Sequence, residues 1–77
     1  MKLGIYKHYK GMLYRVHQVV LHSETLEAYV YYEALYHNEL GQFWIRPKKM
    51  FEETVMIEGK AQPRFDYVGD EKGSKRV

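Results

Sequence analysis

Turn-forming residues interrupt this chain about every ten positions, and the runs between them are made of residues that favour strands. Such spacing leaves no room for long helices. Eight tyrosines, with many Val, Ile, Leu and Phe, supply the aromatic and β-branched side chains that suit a pleated, half-buried surface. An all-β fold is expected.

A first strand is expected over residues 4–9, ended by Lys10-Gly11, where glycine supplies the positive φ of a tight reversal. In the second, over 12–21, period-two alternation assigns Met12, Tyr14, Val16 and Val20 to the core face and Leu13, Arg15, His17 and Val19 to the other. The third, over 26–36, is apolar on both faces, with Glu33 its one interior charge, as expected of a strand covered on both sides. His37-Asn38-Glu39-Leu40-Gly41 fits a hairpin loop with Gly41 at its αL position, and a fourth strand follows over 42–46. Pro47 opens a helical turn through Phe51. Lys48 and Lys49 at its start and Glu52 and Glu53 at its end oppose the helix dipole, so only a short 3-10 turn is expected. Residues 54–57 form a fifth strand with Val55 and Ile57 inward, and Gly59 turns the chain toward Pro63, Arg64 and Phe65. Five short strands and one 3-10 turn indicate a small SH3-like barrel, an analogy of architecture only.

Length allows one domain, placed over residues 1–68, and residues 69–77, with one apolar side chain at the very end, are expected to be a disordered polar tail. The absence of cysteine excludes disulfide scaffolds, cysteine-bound zinc and thiol catalysis, and suits a reducing cytosol, so a cytoplasmic protein is expected. The longest apolar run, from Ala28 to Tyr32, is far shorter than a membrane span, and Lys7 and Lys10 come too early for a signal peptide. A soluble, unprocessed chain follows. Formal net charge is +2, and before Asp70 nine bases face eight acids, which argues against nucleic-acid binding driven by charge alone.

The segments "YKHYKG", "HSETLE", "WIRPKKMFEETV" and "PRF" together closely resemble the uncharacterised bacterial family DUF1653, a domain of unknown function, over roughly residues 4–68. The resemblance implies that Tyr6, His8, Tyr9, Lys10, Gly11, His22, Ser23, Glu24, Thr25, Trp44, Arg46, Pro47, Met50, Phe51, Pro63, Arg64 and Phe65 hold family-motif positions, and it implies no activity for them. Val20 stands where the family often has a smaller residue.

His22, Ser23, Glu24 and Thr25 admit two readings. They are a turn whose hydroxyls bond its own backbone, or they present an imidazole and a carboxylate to a polar ligand. Arg46 and Arg64 each adjoin a proline, which limits the freedom of the backbone carrying the guanidinium and suits recognition of carboxylate or phosphate. Alternatively, one of them bridges to Glu24 and clamps the hairpin. Trp44 lies two residues before Arg46 and shares its strand face, either as core or as a stacking surface beside a cation. Tyr29, Tyr31, Tyr32 and Tyr36 are packing residues or, less favoured, platforms for nucleobases. Ser23, His22 and Glu24 are consecutive, so alternating directions keep them from forming a catalytic relay. The four histidines show no zinc spacing, although His8 and His22 could meet across strands.

These residues indicate a non-enzymatic binding module without cofactor, metal or membrane contact. Its site would comprise Tyr9, His22, Glu24, Trp44, Arg46 and Arg64, and its ligand would be a small anion, a nucleotide-like molecule or the carboxylate of a protein partner. Single-stranded RNA or DNA binding, helped by Lys48 and Lys49, is the alternative, and peptide binding at a groove or strand edge is the third.

Overall fold

The computed structural model of the protein describes residues 1–69. Seven strands and one helical turn follow in order: β1 (Gly4–His8), β2 (Leu13–Leu21), β3 (Ala28–Ala34), β4 (Phe43–Pro47), α1 (Lys48–Phe51), β5 (Thr54–Ile57), β6 (Lys60–Pro63) and β7 (Phe65–Gly69). Five of them make one antiparallel sheet in the order β4-β3-β2-β1-β7, and β5 pairs with β6 in a separate hairpin. The sheet is open in its hydrogen bonding, with β4 and β7 at its two ends.

The mostly-β expectation holds, with corrections. The fifth expected strand, Thr54–Ile57, belongs to the small hairpin, and the sheet is completed by β7 instead. β7 carries Phe65 and Tyr67 inward at alternate positions, in a segment that sequence reading treated as the path out of a turn. Gly69 pairs with Ile5, so the ordered domain includes one residue assigned to the tail. The rest of the expected tail lies outside the described residues.

The helical turn is α rather than 3-10, since the Glu52 amide donates to Lys48 O at 3.0 Å. Two contacts offset the unfavourable placement of charge at its ends. Phe51 is only 1% exposed, and Lys48 pairs with Glu52 at 3.1 Å across one turn. Burying a phenyl ring outweighs a dipole effect of about 0.3–1 kcal/mol.

Core assignments in β2 hold as far as Val16. Val16 then pairs with Tyr32 and Gln18 with Tyr31, so His17 is the extra residue of a β-bulge. The bulge reverses the alternation, and Val20 is consequently exposed. In β3, Val30, Tyr32 and Ala34 are buried, while Tyr29, Tyr31 and Glu33 occupy the opposite face.

The core forms on one face of the sheet from Tyr6, Tyr14, Val16, Val30, Tyr32, Ala34, Phe51 and Phe65. At its centre Phe51 and Phe65 stack with ring centroids 4.0 Å apart and 3° between planes. Tyr6, Tyr14 and Tyr32 meet that pair edge-on. Phe51→Ala is expected to cost about 3–5 kcal/mol, most of the stability of so small a domain. A urea midpoint close to that of the unchanged protein would show that the stack does not hold α1 in place.

Candidate functional site

β4 carries Trp44 and Arg46 on the core face, paired with Tyr32 and Val30 of β3. The loop before β4 fixes Trp44. The Asn38 side-chain oxygen accepts the Leu40 amide at 3.0 Å, the Gly41 amide donates to Asn38 O at 3.1 Å, and Gly41 O accepts the Trp44 indole N–H at 3.1 Å. Gly41 has φ +148, a positive value but not the αL conformation expected from sequence. Beyond the indole, Arg46 Nε donates to the Tyr32 hydroxyl at 3.3 Å, and the Tyr14 and Tyr36 hydroxyls lie 2.7 Å apart. Tyr14, Tyr32, Asn38, Trp44 and Arg46 line an open cavity of about 160 Å3.

The cavity is electropositive, and among the described residues no carboxylate lines it. Arg46 has no ion-pair partner among the described residues, and its guanidinium carbon lies 5.7 Å from the centre of the Phe65 ring. Burial, then the hydrogen bond shared with Tyr36, pushes the Tyr14 hydroxyl above its ordinary value, so it stays neutral. His8 meets Phe65 edge-on, with 5.0 Å between ring centroids, and its Nδ1 accepts the Lys10 amide at 3.1 Å. Burial, followed by the charges of Arg64, Lys10 and Arg46, lowers the His8 pKa and keeps the imidazole neutral.

The six residues expected to form the site separate into three places. Trp44 and Arg46 share the cavity. Tyr9 and Arg64 lie beside His8: the Tyr9 amide donates to Arg64 O at 3.0 Å, and the Tyr9 and His8 rings are 4.5 Å apart. His22 and Glu24 sit in the exposed β2–β3 turn and do not line the cavity. There His22 Nδ1 accepts the amides of Glu24 and Thr25 at 3.2 and 3.3 Å, and Thr25 Oγ1 accepts the Glu27 amide at 3.2 Å. The polar cluster therefore bonds its own turn, through an imidazole as well as a hydroxyl.

No arginine bridges to Glu24 among the described residues. Arg64 pairs with Glu53 at 2.9 Å, and Arg46 bonds a tyrosine, which corrects the expected clamp. Tyr32 is core and Tyr36 bonds Tyr14, in line with packing roles. Among the described residues no cluster of three or more potential metal ligands occurs, and no helix is long and apolar enough to cross a membrane.

Sequence reading missed Tyr14, Tyr32 and Asn38 as cavity residues, although one signal was present. A hairpin centred on Asn38 sets Tyr32 opposite Trp44, and the even positions of β2 set Tyr14 on the same face.

The opposite sheet face carries a separate polar group around Glu33. His17 Nε2 lies 2.8 Å from Glu33 Oε1, Gln42 donates to Glu33 Oε2 at 2.6 Å, and Arg15 approaches at 3.4 Å. The His17 hydrogen bond is the main cause that holds the Glu33 carboxyl below its ordinary value. Burial opposes it, and Gln42 and Arg15 reinforce it.

Comparison with known proteins identifies relatives of the whole fold. The model of the family described as protein of unknown function (DUF1653) matches residues 4–67. The crystal structure of a protein of this family from Bordetella bronchiseptica is 36% identical and superposes with a TM-score of 0.85, covering 91% of this chain and 90% of that one. No curated protein matches.

Two measurements test these placements. Glu33 has a lowered pKa when folded, so its stabilising contribution is present above the ordinary carboxylate range and is lost as pH falls through the folded value. Between neutral pH and about pH 3, the unchanged protein is expected to lose more unfolding free energy than Glu33→Gln. Equal losses would remove Glu33 from the acid response. His22→Ala is expected to lose about 1 kcal/mol of stability in urea unfolding through its turn bonds. An unchanged midpoint would show that the imidazole is dispensable to the turn.

Proposed function

The chain belongs to the DUF1653 family, and we propose that it is a non-enzymatic binding module that takes a small anionic group, foremost a carboxylate, into the cavity beside Arg46 and Trp44. One observation carries this reading. Arg46 is a half-buried cation bonded to a neutral hydroxyl, with no acid among the described residues to neutralise it. A half-buried charge without a partner is costly, and an anion delivered by a ligand removes that cost.

Size restricts the ligand. The cavity, at about 160 Å3, is well below the roughly 300–1,000 Å3 of sites for drug-sized molecules. It is close to the roughly 150 Å3 that holds a benzene molecule. A carboxylate or phosphate group with a few attached atoms fits, whereas a whole nucleotide would leave most of its atoms outside. Arg46 offers a planar fork to such a group, the fixed indole of Trp44 offers a flat wall, and Asn38 offers an amide.

The nucleic-acid alternative draws less support. Tyr32 is committed to the core, Tyr36 to its hydroxyl pair and Lys48 to Glu52. The likeness to SH3-like barrels is also part of this proposal, supported by the antiparallel five-stranded sheet and the single helical turn after β4.

Titration with sodium acetate, sodium phosphate and adenosine monophosphate at constant ionic strength, followed by the Trp44 indole signal in NMR, tests the reading. Saturable shifts at Trp44 and Arg46 are expected, and Arg46→Gln should weaken them about tenfold or more, the equivalent of one charge-assisted hydrogen bond. An indole signal unmoved by all three anions would overturn the assignment.

A further inference from the structure

We propose that the free edge of β4 docks an extended segment of a protein partner, and that this segment carries an acidic residue, set between two apolar ones, whose carboxylate enters the cavity at Arg46. The proposal rests on the anion-binding reading of that cavity and names the partner that supplies the anion.

The direction of the β4 backbone follows from one bond. The Ala34 amide donates to Gln42 O at 2.8 Å, and antiparallel pairs alternate between bonded and non-bonded, so Trp44 and Arg46 turn their amides and carbonyls toward β3. Phe43 and Ile45 then turn theirs outward. β4 is the last strand on its side of the sheet, and among the described residues no backbone bond links Phe43 or Ile45 to another element beyond that sheet. Ile45 therefore offers a donor and an acceptor in the geometry that an added strand requires.

The side chains of this edge are also unusual. Exposed edges are ordinarily protected by charge, proline or a covering element. Here Phe43 and Ile45 are 55% and 62% exposed and lie on the face opposite the cavity, and the one charge within β4, Arg46, points to the cavity side. Pro47 limits the edge only at its end.

An added strand would meet both faces at once, because its side chains alternate. A residue facing the cavity stands beside Trp44 or Arg46, within cross-strand reach of the guanidinium, and its two neighbours stand beside Phe43, Ile45 or Pro47. Charge complementarity selects Asp or Glu for the first position, and the exposed phenyl and butyl groups select apolar residues for the flanks. Backbone pairing supplies affinity that is independent of salt, while the carboxylate sets the register.

The test uses short capped peptides of alternating Val and Thr between lysine flanks. One has a central Thr replaced by Glu, a second has Gln in its place, and a third is the Glu peptide N-methylated at alternate amides so that it cannot pair. Binding to the unchanged protein is followed by NMR, with amide hydrogen exchange at Phe43 and Ile45 as the second readout and sodium acetate as the reference anion. The Glu peptide should bind and slow exchange at Ile45, the Gln peptide should bind about tenfold more weakly, and the N-methylated peptide should not protect the edge. A response to acetate, with peptides binding no tighter than acetate or with N-methylation making no difference, would overturn the edge proposal and leave the anion site standing. No response to acetate or to any peptide would overturn both. Concentration-dependent protection of Ile45 without peptide would assign the edge to a second copy of this chain. Tighter binding of a mixed oligonucleotide at the same residues would assign it to nucleic acid. Either result contradicts the proposal.

Discussion

The parallel stack of Phe51 on Phe65 is the contact on which the rest of the structure depends. It joins the helical turn after β4 to the strand at the opposite end of the sheet, with the rings 4.0 Å apart. Because α1 follows β4 directly, burial of Phe51 also fixes the direction in which β4 ends, and so the position of Arg46. The guanidinium then lies over Phe65, so that one aromatic pair serves both as the centre of the core and as the floor beneath the cation. The tyrosines around the stack contribute rings to the core and hydroxyls to the rim. Tyr32 reaches Arg46, and Tyr14 reaches Tyr36.

The two arginines beside prolines show how local partners divide similar side chains between different uses. Arg64 is neutralised by Glu53 and its backbone holds Tyr9, so it fastens the β5–β6 hairpin to the end of β1. Arg46 bonds the Tyr32 hydroxyl and forms no ion pair among the described residues. Tyr14 and His8, two titratable groups within its electrostatic reach, are both kept uncharged by burial first. Neutral hydroxyls can orient a guanidinium without cancelling its charge, which leaves that charge for a ligand. A carboxylate at the same position would have made Arg46 a structural ion pair like that of Arg64.

Period-two alternation made the core face of the first half of β2 legible in the sequence, and the Asn38 loop with Gly41 marked the hairpin that carries Trp44 and Arg46. Alternation failed at His17, because a bulge leaves no local mark when the inserted residue is an ordinary strand former. The helical turn was read too weakly because charge at its ends is visible in sequence whereas the partner that buries Phe51 is not. The same limit explains the site. Trp44 and Arg46 could be grouped from spacing alone, but His22 and Glu24 were joined to them only by chemical type. Their own turn satisfies the His22 imidazole, a role indistinguishable from ligand binding until the amides of Glu24 and Thr25 are located.

The most direct test of an anion site at Arg46 is the NMR signal of its own guanidinium, recorded on protein carrying nitrogen-15 arginine, with and without sodium acetate. Slowed exchange of the Arg46 terminal N–H groups and a downfield shift of its Hε, saturating with acetate and absent from Arg64, are the expected result. A guanidinium that stays unchanged at Arg46 while other cationic groups respond to acetate would contradict it.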